Sequence, residues 1–109
     1  MSAQELPVEV TVQQAEDLRK QGAAIVDVRE TWEYEQGHIE GALHIPLGEL
    51  TAQADEVPTD RPVVINCHHG GRSMRAVQFL RSQGHNHISN MQGGLDRWSL
   101  EIDPSIARY

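Results

Sequence analysis

Cysteine is almost absent from this sequence, which has a single one, Cys67, in 109 residues. A lone cysteine excludes an internal disulfide, a CxxC redox pair and a zinc site built from several thiolates. Any chemistry at Cys67 must therefore involve that thiol alone or a sulfur atom supplied by another molecule.

Long apolar segments are missing as well. No apolar run approaches the roughly 20 residues that a membrane helix needs, and the segment from Met1 to Pro7 lacks the basic and apolar regions of a signal peptide. We therefore expect a soluble, cytoplasmic protein that does not associate with a membrane.

Positive charge is in short supply. Nine Lys and Arg residues face sixteen Asp and Glu residues, which gives a formal net charge of -7. A nucleic acid would meet net repulsion and is not expected as a partner. Since the chain also has no internal repeat and no linker rich in Pro, Gly or Ser, residues 1–109 are predicted to form one domain.

What the chain does contain is an alternation of short apolar segments with segments of helical periodicity. Helices are predicted over Gln13 to Gln21 and over Ser73 to Gln83, and a last helix carries Leu95 and Trp98. This order predicts an α/β fold with a mostly parallel sheet. The predicted strands are Val8 to Val12, Ala24 to Val28, Ala42 to Ile45, Pro62 to Cys67 and His87 to Ser89.

The segment whose residues are best suited to catalysis, Cys67 to Ser73, follows the clearest buried strand. Ligands of parallel α/β folds bind beyond the carboxyl ends of the strands, which is where this segment lies. Its two adjacent glycines allow successive backbone N–H groups to point inward, and the following helix adds the positive end of its dipole. Because Arg72 adds a fixed positive charge, the segment is predicted to be an anion cradle around a nucleophilic thiolate.

Plainer interpretations exist for several of these residues. Cys67 alone could be a small apolar side chain at the end of a core strand, but such a residue would need neither the glycines nor the arginine. The histidines invite a metal interpretation. However, His68 and His69 are adjacent, and neighbours on a loop seldom bind one ion, so no metal is predicted. His85 and His87 are assigned to a solvated turn and a strand edge.

Side chains outside this loop receive structural interpretations. The acidic cluster of Glu30, Glu33 and Glu35 is predicted to be a solvated helix face. Trp98 is expected in the core, and Trp32 is expected on a helix and partly exposed.

Three blocks of this sequence resemble the single-domain rhodaneses, the thiosulfate sulfurtransferase family, and together they span nearly the whole chain. The loop matches the pattern C-x-x-G-x-R-[ST], and Gly93 to Trp98 is similar to the block G-G-x-x-x-W. The segments Ile25 to Glu30, Tyr34 to Ala42 and His44 to Pro46 resemble the D-V-R and G-H-I-x-G-A signature.

The resemblance implies a five-stranded parallel sheet with helices on both faces. It also implies an enzyme in which Cys67 attacks the outer sulfur of thiosulfate, releases sulfite and holds a persulfide. Cyanide or a thiol then accepts the sulfur, and a protein can be the acceptor. This scheme involves no cofactor and no metal.

The same resemblance assigns roles within the site. Cys67 is the catalytic residue, and Asp27, Arg29 and Ser73 are supporting residues. For Asp27 and Arg29, the role is either catalytic or purely structural. The residues expected to bind the substrate are His68, His69, Gly70, Gly71 and Arg72.

Two other functions remain open. A cysteine-dependent phosphatase or arsenate reductase can use the same fold, but related phosphatases have five residues between cysteine and arginine where this chain has four. A non-catalytic interaction module is the other, although the presence of Cys67 and Arg72 argues against it.

Overall fold

The computed structural model describes residues 6–109 and contains a five-stranded sheet in the order β1-β5-β4-β2-β3. Every strand pair is parallel, as the family resemblance implied. The strands are β1 Glu9–Val10, β2 Ala24–Asp27, β3 Leu43–His44, β4 Val63–Asn66 and β5 Ile88–Met91. The helices are α1 Val12–Lys20, α2 Thr31–Glu35, α3 Leu50–Gln53, α4 Gly71–Ser82 and α5 Gly94–Glu101, and 3-10 turns over Leu47–Glu49 and Ala54–Glu56 flank α3.

The first helix begins earlier than the sequence predicted. Thr11 is its N-cap, where its hydroxyl accepts from the Gln14 N–H at 3.1 Å while the Gln14 side chain accepts from the Thr11 N–H at 2.8 Å. This reciprocal pair satisfies two N–H groups that have no partner inside the helix. Val12, which was predicted to belong to the first strand, is therefore the first residue of α1.

Helices cover both faces of the sheet because side chains alternate along each strand. Val26 and Ile65 face a core cluster that also contains residues of α3 and α4. The neighbouring residues Ile25 and Val64 face a second cluster with residues of α1 and α5. Trp98 belongs to this second cluster and is 2% exposed, which confirms its predicted place in the core.

The register of the sheet brings the ends of β2 and β4 to the same level. Asp27 pairs with Asn66, and the Val28 N–H donates to the Asn66 carbonyl at 3.0 Å. The residues that follow each strand, Arg29 on one side and Cys67 on the other, therefore emerge at the same edge of the sheet.

No helix within residues 6–109 is both long and apolar enough to span a bilayer. The prediction that Met1 to Pro7 is not a signal peptide rests partly on residues 1–5, which lie outside the described part of the chain.

Candidate active site

Cys67 lies at the mouth of a tight turn between β4 and α4. Its side chain is 1% exposed, and the Gly70 N–H donates to its Sγ at 3.0 Å. Gly70 has a φ of 108°, a conformation that L residues with a Cβ rarely adopt, so glycine is needed to direct this N–H toward sulfur. Since α4 begins at Gly71 rather than at the predicted Ser73, the turn is shorter than the sequence suggested.

The side chain of Asn90, in the neighbouring strand β5, forms hydrogen bonds at the start of α4. The Ser73 hydroxyl lies 2.5 Å from Asn90 Oδ1 and 3.3 Å from Cys67 Sγ, and its single proton can serve one of these acceptors at a time. Asn90 Nδ2 donates to the Gly70 carbonyl at 3.2 Å and to Glu9 Oε2 at 3.0 Å. Asn90 thus joins the last residue of the turn to the first turn of α4, as a buried polar network can.

The start of α5 packs directly on the backbone of the turn. The Leu95 N–H donates to the Cys67 carbonyl at 2.8 Å, and the Asp96 N–H donates to the His68 carbonyl at 3.0 Å. A Cβ on Gly94 would lie 2.4 Å from the His68 carbonyl oxygen. Gly94, the second glycine of the pair and the first residue of α5, is therefore required for this close approach, which gives a physical reason for the G-G-x-x-x-W block.

Arg72 in the first turn of α4 forms a bidentate pair with Glu33 of α2. The two N–O distances are 2.7 and 2.9 Å, and the side chains are 35% and 5% exposed. Hydrogen bonds from Arg72 hold the pKa of the Glu33 carboxyl at about 2, although burial acts in the opposite direction. The expectation that Glu33 lies on a solvated helix face is therefore wrong, whereas Glu30 and Glu35 are exposed as predicted.

Asp27 and Arg29 form a second pair at the end of β2. Both side chains are 0% exposed, and Arg29 Nη2 donates to Asp27 Oδ2 at 2.7 Å. Arg29 also donates to the Gly37 carbonyl at 2.8 Å and to the Tyr109 hydroxyl at 3.1 Å. Within residues 6–109, neither member of this pair is hydrogen-bonded to the turn that carries Cys67. The structure therefore places them beside the site rather than in contact with the thiol.

The two histidines of the turn have different surroundings. His68 is half-buried, and burial together with the neighbouring His69 lowers the pKa of its imidazole, so His68 is neutral near pH 7. The His69 side chain is 72% exposed, with its Nε2 3.9 Å from Asp96 Oδ2. In the described part of the chain, potential ligand atoms of His68, His69 and Asp96 lie within 4.8 Å of one another. Arg108 already binds this Asp96 carboxylate at 2.8 Å.

Comparison with known proteins identifies the family of this chain. The family model of the rhodanese-like domain matches residues 11–101, which include the turn and the helices on either side of it. This chain belongs to the rhodanese-like family.

Its relatives include proteins named as sulfurtransferases and one named as uncharacterized. The chain is 45% identical over 80 residues to the Bacillus subtilis (strain 168) protein YqhL, which is described as uncharacterized, and this match covers 73% of the chain and 64% of YqhL. It is 33% identical over 99 residues to the thiosulfate sulfurtransferase GlpE of Ectopseudomonas mendocina (strain ymp), covering 91% of each protein. The human single-domain sulfurtransferase TSTD1 is 28% identical with a TM-score of 0.80, covering 88% of this chain and 98% of that one.

Three residues of this rhodanese-like site were not found from the sequence. Asn90 directly follows the predicted strand His87 to Ser89, and a polar residue at the carboxyl end of a parallel strand was an available signal; the structure extends this strand to Met91 with all four residues buried. Glu33 carried no distinguishing signal among its acidic neighbours. Tyr109 lies outside the residues that the family model matches, and its approach to the site is visible only in the folded chain.

Proposed function

We propose that this rhodanese-like protein is a thiosulfate sulfurtransferase that carries the transferred sulfur on Cys67. The proposal rests on one hydrogen bond, in which the N–H of Gly70, the N-cap of α4, donates to Cys67 Sγ at 3.0 Å. A backbone donor and the helix dipole both stabilise negative charge at that position, on a thiolate or on a persulfide.

The proposed reaction has two displacement steps. In the first, the Cys67 thiolate attacks the outer sulfur of thiosulfate, a new sulfur–sulfur bond forms, and the bond to the sulfonate sulfur breaks. The bonding electron pair leaves with sulfite. In the second, cyanide or a thiolate attacks the outer sulfur of the persulfide, which returns the Cys67 thiolate and releases thiocyanate or a new persulfide. This is covalent catalysis with two half-reactions.

Arg72 is the side chain best placed to attract an anionic donor. Its pKa is raised chiefly by the hydrogen bonds to Glu33, so the guanidinium keeps its positive charge in the first turn of the helix that follows the cysteine turn. Because the Arg72 side chain remains 35% exposed, an oxyanion can approach it beside Glu33. His68, His69, Gly70 and Gly71 are proposed to line the same donor site.

The relatives support this assignment, since GlpE is named a thiosulfate sulfurtransferase and TSTD1 a single-domain sulfurtransferase. A low-molecular-weight thiol or a protein thiol is the proposed acceptor besides cyanide. A working thiolate is preserved best in a reducing compartment, which favours the cytoplasm as the location.

Intact-mass spectrometry tests the proposal because the chain has one cysteine. Incubation with thiosulfate should add the mass of one sulfur atom, and cyanide should then remove it. The Cys67→Ser variant is the control and should show neither change. The proposal is wrong if the variant retains thiosulfate:cyanide turnover or if the native protein gains no sulfur.

A further inference from the structure

The segment after α5 returns to the cysteine turn. Ile106 is 7% exposed in the core cluster of α1 and α5, and the Ser99 hydroxyl donates to its carbonyl at 2.5 Å. Two residues later, Arg108 binds Asp96 at the start of α5. These contacts place Tyr109 next to the turn and do not depend on the Tyr109 side chain itself.

The Tyr109 side chain contacts the site through both its hydroxyl and its ring. The hydroxyl donates to Glu33 Oε2 at 2.5 Å and accepts from Arg29 Nη1 at 3.1 Å. The ring stacks on His68 with centroids 4.1 Å apart and meets Trp32 edge-on at 5.7 Å.

These contacts hold the ring in one position. Hydrogen bonds to charged groups are stronger than those between neutral groups, and the hydroxyl has one to a guanidinium and one to a carboxylate. The ring packs on His68, the residue that directly follows Cys67, and Cys67 is itself 1% exposed. A molecule that approaches the sulfur from the side of His68 therefore meets a fixed aromatic wall.

We propose that Tyr109 is a specificity-determining residue that narrows the entrance to Cys67, so that small donors and acceptors reach the sulfur more readily than bulky ones. The proposal rests on the proposed function, with thiosulfate and cyanide as small reactants and glutathione as a bulky acceptor. A bulky reactant must displace the ring and break both hydroxyl contacts, whereas cyanide does not need to.

Alkylation of Cys67 tests access without any turnover. Iodoacetamide serves as the small reagent and fluorescein maleimide as the bulky one, and mass spectrometry follows the rate of each. Removing the wall in Tyr109→Ala should speed the bulky reagent about 10-fold and the small one less than about 2-fold. Tyr109→Phe should give an intermediate result because it retains the ring and loses both hydroxyl contacts.

The matched control is Leu100→Ala, which removes a side chain of α5 that is 59% exposed, and it should alkylate like the native protein. Equal acceleration of both reagents in Tyr109→Ala would indicate loosening of the whole turn and would overturn the proposal, as would no acceleration. Because Tyr109 is 41% exposed and Ile106 remains in the core, the variants should keep the fold.

Steady-state kinetics tests whether access to Cys67 also affects sulfur transfer. With thiosulfate as donor, Tyr109→Ala should raise kcat/KM for glutathione more than kcat/KM for cyanide; equal changes for both acceptors would contradict a role in specificity. Failure of the native protein to transfer sulfur at all would refute the proposed function, while the alkylation rates would still decide whether Tyr109 controls access.

Discussion

Two arginine–carboxylate ion pairs of this protein have the same shortest N–O distance but differ in exposure and in sequence separation. Arg29 and Asp27 are 0% exposed and two residues apart in the sequence. Arg72 and Glu33 are 39 residues apart and join two helices, and the arginine remains 35% exposed. Both pairs have an N–O distance of 2.7 Å.

The difference in exposure separates a structural pair from one that can take part in binding. Arg29 donates to Asp27, Gly37 and Tyr109, so its buried charge has protein partners on several sides and no access to an incoming anion. Arg72 has one carboxylate partner and an open side. We therefore interpret the buried pair as fixing the end of β2, whereas Arg72 of the exposed pair is the cation that we propose binds an anionic donor.

The largest effect should come from breaking the buried pair. Replacing Asp27 with Asn keeps the shape of the side chain but leaves the Arg29 charge buried without a counter-charge, which should lower the free energy of unfolding by about 3 to 5 kcal/mol. Urea denaturation measures this change. A loss below about 1 kcal/mol would show that the remaining partners of Arg29 compensate for the charge.

Removing the carboxylate of the exposed pair should have a smaller and pH-dependent effect. The pKa of Glu33 falls from 4.5 to about 2 in the folded protein, so Glu33→Gln should lose about 2 to 3 kcal/mol at pH 7. Since the folded-state pKa is depressed, this contribution is complete above pH 4.5 and disappears as the pH falls toward 2. About half of it should be gone near pH 3.3.

Glu35→Gln is the matched control, because Glu35 lies on the same short helix and is exposed. Its free energy of unfolding should stay within about 0.5 kcal/mol of the native value. If Glu33→Gln and its control unfold alike between pH 7 and pH 3, Glu33 is not held by Arg72 in solution.

The comparison also shows which parts of the site can be found in a sequence. Asp27 and Arg29 were identified through the resemblance to the family's D-V-R signature, which lies at the carboxyl end of an apolar strand. The Cys67 turn was identified because its glycines, its arginine and its thiol are contiguous. Parallel sheets collect strand ends at one edge, so local segments of this kind assemble into a site by topology alone.

Long-range partners did not follow from the same reasoning. The five-residue helix α2 is too short for its apolar pattern to define a buried face, and the partner of Glu33 is 39 residues away. Solvation was the natural assumption for an acidic cluster, and it was correct for two of its three members. Helix α4 begins at Gly71, two residues before its predicted start. Glycine is unfavourable in helices, so the residue type gave no indication of this earlier start.

A third experiment compares the two members of the exposed pair during catalysis. If Arg72 attracts thiosulfate, Arg72→Ala should lower kcat/KM for thiosulfate about 10-fold, and Glu33→Gln should raise it about 3-fold by freeing the guanidinium. Thiosulfate:cyanide turnover measures both. Effects of the same sign would contradict competition between Glu33 and the donor.

Arg72→Ala also removes the main partner of a buried carboxylate, so it is best repeated in the Glu33→Gln background. There the loss of kcat/KM should persist while the change in stability becomes small. Arg75→Ala, which removes an exposed cation one turn farther along α4, is the control and should alter kcat/KM less than about 2-fold.

The smallest expected signal concerns phosphate, because a turn with four residues between Cys67 and Arg72 should crowd a phosphoryl group. Three peripheral oxygens must each find a donor within about 3 Å, whereas a persulfide adds a single sulfur atom. Hydrolysis of an aryl phosphate by the native protein should therefore not exceed the rate of the Cys67→Ser blank, while sulfur transfer from thiosulfate on the same preparation is measurable. Inserting one residue between Gly70 and Arg72 should displace the N–H that now lies 3.0 Å from Cys67 Sγ and weaken sulfur transfer. Phosphatase turnover that exceeds sulfur transfer and is lost in Cys67→Ser would favour the phosphatase assignment instead.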